Sequence, residues 1–208
     1  MRAVLLVFVL TSVLAANARA RPIRWTVLAN GELSVPAGSA EFTDRYGPAG
    51  FGGGGGIGAN MTSLTITANV YYSYIDLDTD GFLVAEGLTA DTSVEGGAAN
   101  VVYSAIGLRF KFMQERWPRI QPYLLGGLGW YYVFRDEFTV SSPIIGNVRG
   151  GSDSEHALGL NAGAGLDIMI DEKVSGFVEG HFQIGFTQET TSTIPVRVGL
   201  AYLLGRTQ

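Results

Sequence analysis

Apolar side chains alternate with small or polar ones through two consecutive stretches near the C-terminal end of the chain, with Asp171, Glu172 and Lys173 between them. In the first, Leu158, Leu160, Ala162, Ala164, Leu166, Ile168 and Ile170 fall on one face, and Gly159, Asn161, Gly163, Gly165, Asp167 and Met169 on the other. In the second, Gly176, Val178, Gly180, Phe182, Ile184 and Phe186 oppose Ser175, Phe177, Glu179, His181, Gln183 and Gly185. Successive strand side chains point to opposite sides of a sheet, so this period of two predicts a β-hairpin with one wholly apolar face. Such a face fits the core of a soluble barrel or sandwich. It fits equally the lipid-facing wall of a barrel with a polar interior.

The same alternation recurs at residues 23–35, 64–74, 102–112, 120–134 and 194–204. Residues 49–60, AGFGGGGGIGAN, carry no periodic information and read as a flexible linker or, given the periodic flanks, as a glycine-lined strand. The total is about eight strands, an even number in the range of outer-membrane barrels. Connections alternate in length: those near Asn60, Trp117 and Glu172 are short, those near Gly38, Gly81 and Gly146 are long, and the one near Thr190 is of middling length. Short turns at one end and long loops at the other are the asymmetry of outer-membrane barrels. On that arrangement Trp25, Phe110, Phe112 and Tyr202 form an aromatic girdle near the short-turn rim, with Trp117 in the adjoining turn. Tyr72, Tyr74, Trp130, Tyr132, Phe134 and Phe186 form another near the loop rim. Two girdles with aliphatic residues between them are what two membrane interfaces select, so the apolar face turns to lipid. The predicted fold is all-β: an eight-stranded antiparallel up-and-down transmembrane β-barrel closed by its first and last strands.

Composition agrees with this. Charged residues are 16% of the 208, and glycines number 29, which suits a narrow interior that needs small side chains. Residues 1–20 have a basic start at Arg2, a short apolar run and an Ala18-Arg19-Ala20 ending, and are read as a cleaved signal peptide. The barrel domain then occupies 21–208. No apolar run reaches the ~20 residues that a spanning helix needs. Loss of Arg2 and Arg19 takes the net charge from −5 to −7, an acidic balance that argues against nucleic acid as a partner. Cysteine is absent, so neither disulfides nor thiolate chemistry is available.

Two stretches resemble strand motifs of the small Gram-negative outer-membrane barrels, the OmpA-like and OmpX-like superfamily: Pro122-Tyr123-Leu124-Leu125-Gly126-Gly127-Leu128-Gly129-Trp130 and Gly163-Ala164-Gly165-Leu166-Asp167. Arg197-Val198-Gly199-Leu200-Ala201-Tyr202-Leu203-Leu204 resembles the C-terminal signal read by the barrel assembly machinery, with Gly199, Tyr202 and Leu204 at its marked positions. It departs from that pattern by continuing to Gln208. The resemblance implies an exported, outer-membrane location, contact with lipid and lipopolysaccharide, and a structural or surface-interaction role. External ligands would meet loops 76–100 and 135–154.

Candidate chemistry is sparse. Arg109, Lys111, Asn161, Asp167, Glu179, His181 and Arg197 share the inward face and are expected to pair in a plug, the alternative being a narrow channel. Ser152, Asp153, Ser154, Glu155 and His156 could be read as a lipid A acyltransferase or deacylase site, but external loops commonly have this composition. No catalytic residue and no cofactor is assigned. Asp76, Asp78 and Asp80, followed by Gly81, resemble the first half of a calcium loop. The twelfth position is Gly87 where a bidentate Glu is needed, and the other reading is an acidic solvated loop that loosely contacts divalent ions.

Overall fold

The computed structural model describes residues 23–38, 43, 45–89, 91–112, 119–143, 146–187 and 190–205. Residues 1–20, read from the sequence as a signal peptide, Trp117 and the last three residues therefore lie outside the described residues. Eight strands close into an antiparallel barrel: β1 (Arg24–Gly38), β2 (Gly50–Asn60), β3 (Leu64–Ile75), β5 (Ala99–Lys111), β6 (Ile120–Arg135), β9 (Asp153–Met169), β10 (Val174–Gly185) and β11 (Thr191–Leu204). Each pairs with its sequence neighbour in the barrel, and β1 pairs with β11 from Trp25↔Leu204 to Gly38↔Thr191.

The alternation sorts the side chains as read from the sequence. Trp25, Val70, Ile106, Leu128, Leu158, Phe186 and Val198 are exposed on the outer wall, while Tyr71, Tyr103, Tyr123, Tyr131 and Phe177 are buried in the lumen. Phe110 packs on Phe112 near one rim, and Tyr132 on Phe134 near the other, as the two girdles require. The glycine run is strand β2. It pairs with β1 and β3 along its length, and a Cβ on Gly54 would run into the Tyr71 ring, so an aromatic that leans on the wall keeps that position bare.

The loops differ from the sequence expectation. Stretches 76–100 and 135–154, read as irregular, contain a short helix α1 (Thr79–Ala85) and three further strands, β4 (Ser93–Gly96), β7 (Phe138–Ser142) and β8 (Gly146–Gly150). The three strands form a separate sheet in the order β4-β7-β8. Strands of four or five residues are too short to show a period, and β4 meets β7 only because the barrel brings their roots together. Phe82 of α1 packs edge-on against Phe138 of β7, 5.5 Å between centroids, and Val140 is buried. The stretch 45–47 is stitched to the loop after β3 by Gly47 N–H to Asp76 O (2.9 Å) and Asp78 N–H to Arg45 O (2.9 Å). We call α1, this small sheet and the stitched loops the cap.

Candidate functional site in the barrel lumen

Six of the eight barrel strands send a polar or aromatic side chain to one level of the lumen, and register brings them together. Glu179 and Arg197 are direct partners across β10 and β11, and Glu32 and Arg197 across β1 and β11, so one guanidinium lies between two carboxylates. Arg197 Nε donates to Glu32 Oε2 at 2.5 Å, and its Nη1 lies 4.0 Å from Glu179 Oε1. From the opposite wall Arg109 on β5 reaches Glu179 Oε2 at 2.7 Å, an oxygen that also accepts from Tyr123 Oη at 2.8 Å. Ser73 donates to the other oxygen of Glu32. The Arg197 guanidinium stacks 3.5 Å from the centre of the Tyr71 ring, and Arg109 lies 5.0 Å from that of Tyr123. Nearer the short-turn end, Lys111 pairs with Asp167 at 2.6 Å.

Three cations thus meet three carboxylates, which is the condition for burying charge without leaving any uncompensated. His181 Nε2 lies 2.9 Å from Glu179 Oε1 and 3.3 Å from Arg197 Nη1. Asn161 completes the predicted set from a different layer: its amide donates to Tyr103 Oη at 2.6 Å. All seven sequence-predicted lumen residues therefore face the interior, six in the charged layer and Asn161 above it. The sequence reading missed Glu32, Ser73, Tyr71, Tyr103 and Tyr123. The even alternation of β1 placed Glu32 inward, but only its register against Arg197 reveals its partner.

The lumen is not polar throughout, as the sequence reading had it. Above the charged layer Tyr71, Ile75, Ala99, Val101, Tyr103, Tyr131 and Val133 make an apolar core, and Tyr46 of the first loop caps it. Tyr103 and Tyr131 lie 4.4 Å apart and keep their hydroxyls on Asn161 and Gln183. Between the layers a cavity of about 20 Å³ remains, bordered by Asn69, Asn161, His181 and Arg197, enough for about one water. At the short-turn end a vestibule of about 150 Å³ opens beside Lys111, Asp167 and Lys173. At the cap a cleft of about 240 Å³ lies between Arg45, Phe82, Arg135 and Phe138.

The other predicted sites separate. Asp78 is the N-cap of α1, its carboxylate accepting from Gly81 N–H at 3.2 Å, and Asp76 accepts from Leu77 N–H. Among the described residues no three potential ligands converge on a metal position, so Asp76, Asp78 and Asp80 are not brought together as a calcium site. His156 is exposed on the outer wall, stacked 5.5 Å from Trp130, and Asp153 pairs with Arg135 at 3.2 Å. Among the described residues no hydrogen bond joins His156 to Ser152 or Ser154. Gly199 lies where a Cβ would meet the Phe177 ring at 2.5 Å, while Tyr202 and Leu204 face outward.

A closed eight-stranded barrel with an apolar belt, two aromatic rims, short turns at one end and long loops at the other is an integral β-barrel protein of the outer membrane. The chain belongs to the autotransporter β-domain family, whose model matches residues 26–181, from β1 into β10. Among solved structures it is similar to Neisserial surface protein A at 11% identity, with a TM-score of 0.57 over 86% of this chain and 96% of that one. It is also similar to OprG of Pseudomonas aeruginosa (12% identity, TM-score 0.55, 89% and 98% covered). The attachment invasion locus protein Ail of Yersinia pestis is a third (12%, 0.53, 88% and 100%). At these identities the likeness establishes the fold. No curated protein matches the chain in sequence. The protein resides in the outer membrane, its short turns on the periplasmic side and its cap outside.

Proposed function

We propose that this barrel works at the cell surface through its cap, and that its lumen is a structural plug and not a conduit. The observation that carries the reading is the two-layer filling of the lumen, a charge-balanced layer beneath an apolar tyrosine core, with about 20 Å³ left between them. An ion entering the periplasmic vestibule would have to break Arg109–Glu179 and then cross the apolar layer, which offers no replacement for its water. Planar-bilayer recordings of the refolded protein are expected to show no stable conductance steps; sustained ohmic steps would overturn the reading.

The cap is the part able to meet a partner. Residues 76–100 carry Asp76, Asp78, Asp80, Glu86, Asp91 and Glu95 and no Lys or Arg, so the partner favoured is cationic: a basic protein surface, or divalent ions that bridge lipopolysaccharide phosphates. Assembly through the barrel machinery, read from Gly199, Tyr202 and Leu204, belongs to the same proposal. Replacing residues 79–97 by a short turn should abolish cell-surface binding of a basic partner and leave the barrel folded. A lipid A-modifying reaction has less support, because His156 rests on Trp130 and, among the described residues, no serine is hydrogen-bonded to it. His156→Ala is accordingly expected to leave the lipid A mass spectrum unchanged.

A further inference from the structure

The small cavity between the two lumen layers is bordered by polar atoms that the protein itself does not pair. Asn69 on β3, His181 on β10 and Arg197 on β11 line it, and each carries a buried polar atom with no hydrogen-bond partner among the described residues: Asn69 Oδ1, His181 Nδ1 and Arg197 Nη2. His181 and Arg197 are both more than nine-tenths buried. Arg197 commits Nε to Glu32, turns Nη1 toward Glu179 and His181, and lays its guanidinium plane on the Tyr71 ring. Nη2 therefore cannot swing to another acceptor without breaking those contacts. The position of Asn69 is built in from the neighbouring strand: a Cβ on Gly56 of β2 would collide with Asn69 Oδ1, so the glycine run makes room for this oxygen. Buried polar atoms are almost always paired, with protein or with an ordered water. Three unpaired ones around a single cavity call for a bound molecule.

We propose that this cavity is a binding site for a single water molecule, which hydrogen-bonds Arg197 Nη2, Asn69 Oδ1 and His181 Nδ1 and so ties β3, β10 and β11 together across the lumen. Size and polarity choose the occupant. About 20 Å³ holds one water, for which ~10–15 Å³ suffices, and nothing larger. Arg197 Nη2 can only donate and Asn69 Oδ1 can only accept, so the occupant must accept and donate at once. A metal cation would face the guanidinium, and a halide would face the amide oxygen with Glu179 close by. Water suits both groups, and it pairs with His181 Nδ1 whichever tautomer the ring adopts. The site is shut on two sides, by Arg109–Glu179 at 2.7 Å below and by the Tyr103 and Tyr131 rings, 4.4 Å apart, above. Its water therefore exchanges with bulk only when the lumen breathes. This residence rests on the reading of the lumen as a plug, since in a conduit the same molecule would be one of a continuous file.

Two measurements on the whole protein test this. A crystal structure at a resolution that shows ordered solvent is expected to place one water at about 2.7–3.2 Å from the three atoms. Water-selective NOE spectra of the protein refolded into nanodiscs should give cross-peaks from the His181 ring and the Asn69 side chain, with the sign of a long-lived water. Gly107→Ala supplies the variant. Gly107 borders the cavity, and a Cβ there would lie 3.2 Å from Thr67 Oγ1 and 3.3 Å from Gly126 O, so the methyl occupies the space after a small shift of the threonine hydroxyl. The cross-peak from His181 should vanish in this variant while heat-modifiable mobility verifies the fold. Asn69→Leu, which removes the acceptor and fills the same space, should lose it as well and serves if Gly107→Ala does not fold. No density and no cross-peak in the wild type would overturn the proposal and leave the plug standing. A file of waters running from the periplasmic vestibule through the tyrosine layer would overturn both. A His181 cross-peak of undiminished intensity in a folded filled variant would overturn the proposal alone.

Discussion

Glu179 shows what a single lumen residue does. It is fully buried, it accepts from Arg109 and Tyr123, and it faces Arg197 and His181. Glu179→Ala leaves the Arg109 guanidinium without its counter-charge, and Arg197 with Glu32 alone, in a space that water barely enters. Removal of one partner from a buried pair costs about 3–5 kcal/mol, to be read as a lower denaturant midpoint in vesicles. Glu179→Gln, which retains the Tyr123 contact, should cost less. Asp171 gives a pH-dependent counterpart outside the membrane. Its carboxylate accepts from Lys173 N–H at 2.6 Å and Val174 N–H at 2.7 Å, and these bonds hold its pKa below the usual 3.8. A depressed acid stabilises the fold above its unfolded pKa and loses that contribution as pH falls through the lower, folded value. The stability of the wild type should therefore drop, as pH falls below the ordinary carboxylate value of 3.8, by more than that of Asp171→Asn, measured by the difference in unfolding midpoint between neutral and acid pH. From sequence these residues could be assigned to a face, since the period of two decides inward from outward. Their heights could not be read, because height depends on which residue of the neighbouring strand lies opposite.

Elements were legible in proportion to their length. Strands of 11 to 17 residues, from β2 to β9, gave a period or stood between segments that did, and all eight barrel strands were recovered. Their ends were not: β9 begins at Asp153 and β5 at Ala99, several residues further out than the alternation suggested, because above the membrane both faces can be polar. The cap strands and α1 escaped notice because nothing local distinguishes four or seven residues from a loop. The glycines of β6 provide a test within one strand. Gly129 faces inward and a Cβ there would strike the Tyr103 ring, whereas Gly126 faces out with room to spare. Gly129→Ala should destabilise the barrel by ~1–3 kcal/mol through overpacking, and Gly126→Ala should be close to neutral. Equal effects would mean that backbone flexibility, and not the tyrosine column, sets the glycine pattern.

At the scale of the whole molecule, the barrel and the cap are separable in what holds them. The barrel rests on a closed ladder and the lumen filling, and the cap on Phe82, Phe138 and Val140. Exchange of 79–97 for a short turn is therefore expected to preserve heat-modifiable mobility, and loss of that mobility would show that the cap also clamps the barrel mouth. The closing seam has a consequence of its own. Glu32 and Arg197 are 165 residues apart in sequence and adjacent in register. A slip of one residue in that seam would turn the whole of β11 inside out, placing the Arg197 guanidinium in hydrocarbon and Val196 or Val198 against Glu32. A charged group at mid-bilayer on the lipid face costs about 2–4 kcal/mol, and the stranded carboxylate adds to it. The buried pair thus acts as a proofreading contact: it rejects a barrel that has closed in the wrong register, at the last step, when the first strand made meets the final one.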